Sequence, residues 1–269
     1  MYIQKNLLAS LLCALFSTTS FGVGPFNGFY ASVGVGGETL QVDDDTTVHY
    51  FISEFPPLIP GNIDLIYPDS PMVTDSSVTG GIALGYSNVF NQLFLLGVEA
   101  RANFEGLKTT YDYTAHTLSP VDLVVSSDDS VKLDNDFTLL IKLGVVLQPK
   151  TLIYGLVGPT WGNFDTSTHV KTSFDGIPTN ISESESQYQT GWLAGLGIEY
   201  LMTDHFSFAL EYTHADYGTF DAVDEESKVV DVTPGSFLSV NDDVNAKTDS
   251  VLLRLTYYFS ANPTKLMKN

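Results

Sequence analysis

Residues 191–218 read GWLAGLGIEYLMTDHFSFALEYTHADYG, and they decide the fold. Two apolar, aromatic-rich runs flank the short break LMTDH, and each run carries one glutamate, Glu199 or Glu211. A soluble core rarely buries such a charge without a partner, and a lipid-facing helix tolerates it even less. A β-strand with one face in lipid and the other in a polar lumen accommodates both glutamates.

Alternation of residue type separates the two faces of each strand. In residues 206–212, Phe206, Phe208 and Leu210 share one face, while Glu211 lies on the other. The charged residues assigned to the inner face in the same way are Glu99, Arg101, Lys142, Glu199, Glu211 and Arg254. Because these three acids and three bases balance, the sequence predicts a lumenal ion-pair network, with Glu99–Lys142 and Glu211–Arg254 as pairs on neighbouring strands.

Eight alternating segments are predicted as strands, at about residues 27–42, 78–88, 93–109, 132–148, 151–163, 188–201, 206–217 and 247–259. Short connections near 88–92, 149–151 and 202–205 alternate with long polar ones over 43–77, 110–131, 164–187 and 218–246. This pattern indicates an all-β fold, an eight-stranded antiparallel up-and-down transmembrane β-barrel with four long extracellular loops and three short periplasmic turns.

The two ends of the chain are expected to lie outside the barrel. Residues 1–22 have a lysine, an apolar stretch and then small residues, as in a cleaved signal peptide. The barrel is assigned to residues 23–259 and a short periplasmic tail to residues 260–269. The only cysteine, Cys13, lies within the predicted signal peptide, so disulfides and thiol chemistry are excluded from the mature chain.

Charge is distributed unevenly along the chain. The long connections hold 22 of the 32 acidic residues and only two basic ones, Lys171 and Lys228. The simplest interpretation is a solvated acidic surface, and a divalent-cation site is the alternative, although no ordered ligand spacing is present. No cofactor and no metal site are predicted, and a net charge of −20 argues against nucleic-acid binding.

Aromatic residues near the predicted strand ends suggest the girdles that mark the two edges of a membrane. The residues assigned to this girdle are Phe29, Tyr86, Tyr154, Trp192, Tyr200 and Tyr212. Glycines on the inner face, among them Gly85, Gly144 and Gly197, are expected to leave room for the long charged side chains.

Three stretches, GFYASVGVGG near the mature start, GLGIEY with ALEYTHADYG, and the closing LLRLTYYF, resemble the small Gram-negative outer-membrane β-barrel superfamily. That group includes opacity-type proteins, porin-like surface antigens and the transmembrane domain of outer membrane protein A. The resemblance implies localisation in the bacterial outer membrane. It also implies an assembly signal at Leu253, Leu255, Tyr257 and Phe259, read by the outer-membrane assembly machinery. The other partners it implies are outer-membrane lipid with lipopolysaccharide and host surface molecules.

Three functions remain open at this point. The leading hypothesis is a non-enzymatic surface protein with acidic extracellular loops, acting in host or surface interaction or in envelope integrity. The alternative is a small porin or channel for small or hydrophobic solutes, although a lumen filled by ion pairs conducts poorly. A remote alternative is an outer-membrane lipid-modifying enzyme, for which His214 with Asp216 is the candidate pair.

Overall fold

A computed structural model describes residues 25–52, 61–66, 73–117, 123–148, 150–174, 177–221, 229–233 and 236–259. These residues form ten β-strands: β1 (Gly28–Ile52), β2 (Gly61–Ile66), β3 (Val73–Phe90), β4 (Phe94–Thr117), β5 (Leu123–Gln148), β6 (Thr151–Phe174), β7 (Ile177–Leu201), β8 (Phe206–Asp221), β9 (Val229–Thr233) and β10 (Ser236–Tyr258). In the described part of the chain, no helix is long and apolar enough to cross a membrane.

Eight long strands close into a barrel. Each of β1, β3, β4, β5, β6, β7, β8 and β10 pairs antiparallel with the next in this order, and β10 pairs back onto β1 from Tyr30↔Tyr258 upward. The short strands β2 and β9 extend the ladder beside the far ends of β1 and β10. The predicted eight-stranded antiparallel barrel is therefore confirmed.

The three short connections lie at one end of the barrel, between β3 and β4, between β5 and β6, and between β7 and β8, as the sequence predicts. Asn91 and Gln92 both have positive φ, 52° and 60°, and Leu93 N donates to Phe90 O at 3.0 Å. Two consecutive positive φ values match the right-handed twist of the flanking strands, so this tight hairpin closes without splaying them.

The strands are longer than the sequence predicts, and much of the expected long loops is β-structure. β5 and β6 stay paired up to Leu123↔Phe174, and β6 and β7 up to Phe174↔Ile177. The acidic runs at 43–45, 128–129 and 242–243, which we assigned to loops, lie within β1, β5 and β10. Alternation of polar and lipid-exposed residues stops where lipid stops, whereas the backbone ladder continues wherever a neighbouring strand remains available.

An apolar belt surrounds the barrel next to the short-turn end. Large apolar side chains project outward from the membrane-spanning segments, which are residues 29–35, 78–90, 94–104, 137–147, 153–161, 192–202, 206–212 and 251–259. Outward apolar and inward polar residues alternate along these segments, as a strand between lipid and lumen requires.

Above the belt, two of the eight ladders stop. β3 and β4 pair only up to Gly80↔Phe104, and β7 and β8 only up to Trp192↔Asp216. The wall therefore continues as two facing sheets, β8–β10–β1–β3 and β4–β5–β6–β7, which pack together through an apolar core. Phe164 of β6 contacts the rings of Tyr217 and Phe220 of β8 across this core, at centroid distances of 5.0 and 5.1 Å.

The predicted signal peptide (1–22) and periplasmic tail (260–269) lie outside the described residues. Asp224, Glu225 and Glu226, which are acidic residues of the predicted long connection 218–246, also lie outside the described residues.

Candidate functional site

A buried network of charges fills the lumen within the belt. Arg101 lies between two glutamates, 2.8 Å from Glu99 and 2.6 Å from Glu211. Arg254 approaches the same two carboxylates at 3.4 and 3.6 Å and donates to Ser32 at 2.5 Å. Two guanidinium groups and two carboxylates thus neutralise each other in the middle of the barrel.

Lys142 does not pair with Glu99, which corrects one of the two pairs that we expected. Its amine lies 2.9 Å from Glu199, two strands away, and 4.0 Å from the centroid of the Tyr154 ring between them. Because Arg101 follows Glu99 by two residues on the same face, it takes that carboxylate, and the flexible lysine reaches past Tyr154 instead. Glu199 also accepts hydrogen bonds from Ser207 at 2.5 Å and Tyr258 at 2.7 Å.

Tyr154 points into the lumen, so its assignment to the membrane girdle was wrong. Its side chain is 3% exposed, and its hydroxyl donates to Glu211 at 2.9 Å. Tyr30, which sequence reasoning missed, donates to Glu99 in the same way, also at 2.9 Å. The ladder places Tyr154 opposite Gly197 and Tyr30 opposite Gly85.

We had expected these two glycines to leave room for charged side chains, but they leave room for tyrosine rings instead. A β-carbon at either glycine would overlap the facing ring. The signal that could have revealed this is an inward tyrosine opposite an inward glycine, which requires the strand register as well as the alternation.

The remaining girdle residues lie on the outer face: Phe29, Tyr86, Trp192, Tyr200 and Tyr212. Leu253, Leu255 and Tyr257 also share the outer face of β10, and the exposed Phe259 follows directly after the strand. The Tyr257 ring contacts Phe206 and Phe259, and Phe259 N donates to Phe29 O at 2.9 Å. The end of the last strand is thus hydrogen-bonded to the start of the first at the short-turn end.

The lumen is tightly filled through the belt. The charged residues of the network, Glu99, Arg101, Lys142, Glu199, Glu211 and Arg254, are only 1–5% exposed. At the short-turn end the buried ring of Phe26 packs against Tyr258, and Ser87 donates to Phe26 O at 2.6 Å. A side chain that lines a water-filled passage has a wet surface, so this layer of the lumen is closed.

Three further acids lie inside the barrel just above the belt, and the predicted charge balance is therefore wrong. Glu38, Glu105 and Asp136 are buried on the inner faces of β1, β4 and β5. Continued alternation from Glu99 to Glu105, or from Lys142 back to Asp136, would have found them. Asp136 accepts hydrogen bonds from Asn103 at 3.0 Å and Thr138 at 3.3 Å.

His214 lies on the outer face at the upper edge of the belt, but its partner is not Asp216. Its Nδ1 is 3.0 Å from Oδ1 of Asp249, which also accepts a hydrogen bond from Tyr212 at 2.5 Å. Burial raises the pKa of Asp249, but these hydrogen bonds outweigh it, and the pKa is lower than usual. The Asp216 carboxylate instead accepts from Gly218 N at 2.9 Å, which shapes the bulge where Gly218 has φ 69°.

The structure above the belt carries isolated surface ion pairs. Lys171 of β6 lies 2.8 Å from Asp128 of β5, and Lys132 pairs with Asp134. The hydrogen bond and charge of Lys171 lower the pKa of Asp128. Among the described residues, no group of three or more His, Cys, Asp or Glu side chains could hold a metal ion.

Comparison with known proteins gives matches over most of the chain. The family model of the outer membrane protein β-barrel domain matches residues 8–259. An uncharacterized protein of Coxiella burnetii is 27% identical over 159 residues, which cover 56% of this chain and 59% of that protein. The 31 kDa outer-membrane immunogenic protein of Brucella melitensis is 21% identical over 159 residues, covering 59% of this chain and 62% of that protein.

The chain thus spans about three fifths of the length of these curated relatives. Among solved structures, the outer membrane protein OprG of Pseudomonas aeruginosa is 16% identical with a TM-score of 0.44, covering 87% of this chain and 98% of that one.

Proposed function

Because the chain belongs to the outer membrane protein β-barrel family and is located in the bacterial outer membrane, we propose that it is a non-enzymatic surface protein. The closed barrel anchors a tall, acidic extracellular β-structure that contacts host or other surfaces, or the envelope around it. Short turns of such barrels face the periplasm, so the two facing sheets project from the cell.

One observation carries this proposal: the polypeptide above the belt is folded and packed, while the lumen within it is filled. β5 and β6 remain paired from Phe137↔Trp161, at the edge of the belt, to Leu123↔Phe174. An ordered surface of this height loses less conformational entropy on binding than a flexible loop does. Its exposed acids favour partners that present positive charge or bridging cations.

The filled lumen argues against the porin alternative. Solute would have to displace Arg101 and Arg254 from carboxylates that hold them within the barrel, which leaves buried charges unpaired. Purified, folded chain in planar lipid bilayers should therefore show no large, sustained openings. Sustained conductance of the wild-type protein would favour the porin.

The surface role is tested by shortening one extracellular hairpin at a known register. Asp165 faces Ser186 across β6 and β7, so residues 166–185 can be replaced by an Asn-Gly turn without disturbing the belt. Bacteria displaying the shortened chain should bind host-cell monolayers more weakly than bacteria displaying the wild type. Heat-modifiable gel mobility verifies that both barrels are inserted, and equal binding would refute the surface role for this hairpin.

The lipid-modifying alternative has little support from the arrangement of His214. This side chain is bound to Asp249 on the lipid-facing side and contacts the Trp192 ring at 5.7 Å, as an interfacial residue does. Lipid A isolated from cells with His214→Ala should match that from wild-type cells. A changed acylation pattern of lipid A would support the lipid-modifying alternative.

The ends of the chain complete the proposal. Residues 1–22 direct export and are removed, residues 260–269 remain as a periplasmic tail, and the outward residues of β10 are read by the assembly machinery. Lipopolysaccharide and outer-membrane lipid surround the belt.

A further inference from the structure

Three carboxyl groups meet inside the barrel where the belt ends. Glu38, Glu105 and Asp136 are 6%, 9% and 4% exposed, and Glu105 lies within hydrogen-bonding reach of the other two. Ionised carboxylates have no hydrogen to donate to one another. Both oxygens of Glu105 and Oε2 of Glu38 are consequently buried without a donor. In this form the cluster would carry a heavy desolvation penalty.

The strands that pack around the cluster contribute no compensating cation among the described contacts. β3 and β10 supply the hydroxyls of Thr79 and Thr248 to Glu38. β8 supplies the Tyr217 hydroxyl, which donates to Asp136 at 3.4 Å, and β6 supplies Thr160, 3.0 Å from the Thr138 hydroxyl of β5.

The titratable groups that face one another here are therefore three carboxyls and one phenol. On β4 the nearest guanidinium below them is that of Arg101, which Glu99 and Glu211 already hold. The charge of Arg101 is thus balanced within the belt by Glu99 and Glu211, and not by the three carboxyls of the cluster.

Adjacent buried carboxyls avoid this repulsion by keeping protons. One protonated carboxyl donates a short, strong hydrogen bond to an ionised neighbour, which satisfies an oxygen on each. The two glutamates lie above the membrane-spanning segments. Burial and the charge of Asp136 raise the pKa of Glu38 to about 7. The same causes raise the pKa of Glu105 well above its usual value.

The cluster lies beside one of the two places where neighbouring strands of the described barrel wall are not paired. Directly above Gly80↔Phe104, residues 73–79 of β3 and 105–111 of β4 form no ladder with each other, although both segments are described. A bulge between Phe104 and Leu107 interrupts the pairing of β4 with β5 at the same height. Side-chain contacts inside the barrel, rather than backbone hydrogen bonds, therefore hold the β3–β4 seam, defined here as residues 73–79 and 105–111.

We propose that Glu38, Glu105 and Asp136 form a proton-binding cluster that holds the β3–β4 seam closed at acidic pH and loosens it above neutral pH. When the seam opens, Glu38 and Glu105 reach water and regain ordinary acidity. The closed state thus binds more protons than the open state, so closure is fully favoured below about pH 4.5. It weakens as pH rises through about 7 for Glu38, and further as Glu105 ionises.

Hydrogen–deuterium exchange of the full chain, folded in lipid vesicles, tests this proposal. Residues 73–79 bond to β1 and residues 107–111 bond to β5, and opening of the seam should let these strand segments fray. Protection of their amides, corrected for intrinsic exchange, should fall at least about tenfold between about pH 5.5 and about pH 8.5. The double variant Glu38→Gln/Glu105→Gln mimics both protonated acids at every pH, so its protection should stay nearly constant. Asp43→Asn removes an exposed acid from the same strand as Glu38 and should keep the wild-type response.

Two results of the exchange experiment would overturn the proposal: protection of the wild-type seam that does not change with pH, or a double variant that loses protection as the wild type does. If the double variant fails to fold, Glu38→Gln replaces it and should lose less protection than the wild type. Infrared spectroscopy of the wild type provides an independent reading. A protonated-carboxyl band should be present near neutral pH and vanish in alkaline solution, and its absence near neutral pH would equally reject the cluster.

Discussion

The ring of Tyr154 lies against Gly197 on the neighbouring strand, in the volume that a β-carbon at that glycine would occupy. Tyr30 of β1 and Gly85 of β3 have the same relationship, and both tyrosine hydroxyls reach glutamates of the network. Inward glycines thus define where the buried tyrosines lie, and the tyrosines in turn orient the carboxylates.

Replacing Gly197 or Gly85 by alanine should destabilise the barrel, because the added methyl group forces the facing ring out of its position. Overpacking of this kind costs about 1–3 kcal/mol in the free energy of unfolding. Urea unfolding in lipid vesicles, followed by tryptophan fluorescence, measures the change. Gly37→Ala is the matched control, since a β-carbon there meets nothing within 4 Å. Equal effects at all three glycines would contradict the packing relationship.

Neutralising Glu211 should be among the most damaging single changes in the lumen. Glu211→Gln leaves Arg101 with one carboxylate instead of two and removes a partner of Arg254. Removal of one partner from a buried ion pair costs about 3–5 kcal/mol. The free energy of unfolding in urea measures this loss, and a loss below about 1 kcal/mol, as at an exposed pair, would show that water reaches the network.

The Lys142–Glu199 contact should behave as a coupled pair. Lys142→Met and Glu199→Gln each leave one charge buried, whereas the double variant removes both. Their effects on the free energy of unfolding should therefore add to more than the effect of the double variant, with a coupling of about 0.5–3 kcal/mol. Strict additivity would mean that the 2.9 Å contact contributes nothing.

The sequence predicts the faces of the barrel well because lipid and lumen impose opposite polarity on neighbouring residues. Phe208 and Glu211 reveal their faces without any knowledge of other strands. The partner of Lys142 could not be predicted, since the lysine reaches across Tyr154 of the neighbouring strand to Glu199, two strands from its own. The inward position of Tyr154 was available from its parity, but proximity to a strand end suggested a girdle residue.

The full length of the strands could not be predicted from the sequence either. Apolar alternation ends at Phe104 and Phe137, yet β4 and β5 continue for many residues as a polar ladder. Polar β-structure of this kind depends on a paired neighbour rather than on composition. Glu38, Glu105 and Asp136 lay within predicted strands, and their burial follows from the packing of the two facing sheets above them.

The two tryptophans of the chain, Trp161 and Trp192, should report the upper edge of the membrane. Both lie on the outer face, Trp161 stacked on Phe137 at 5.9 Å and Trp192 49% exposed beside His214. Lipids brominated near the headgroup should quench their fluorescence more than lipids brominated near the end of the acyl chain. Trp161→Phe leaves Trp192 as the only reporter. Stronger quenching from the bilayer centre would show that the upper edge of the membrane does not lie at these residues.

Phe259→Ala should slow assembly of the barrel more than it destabilises the finished fold. The side chain is 59% exposed and contacts the Tyr257 ring at 5.2 Å, so its loss from the folded state should cost less than about 1.5 kcal/mol. Phe104→Ala is a control of similar exposure, 61%, at the opposite edge of the belt and on another strand. Pulse-chase labelling with heat-modifiable mobility follows assembly in cells, and urea unfolding follows stability. Only Phe259→Ala should delay assembly, because this aromatic side chain is part of the proposed assembly signal. Equal delays would show that Phe259 has no special role in assembly.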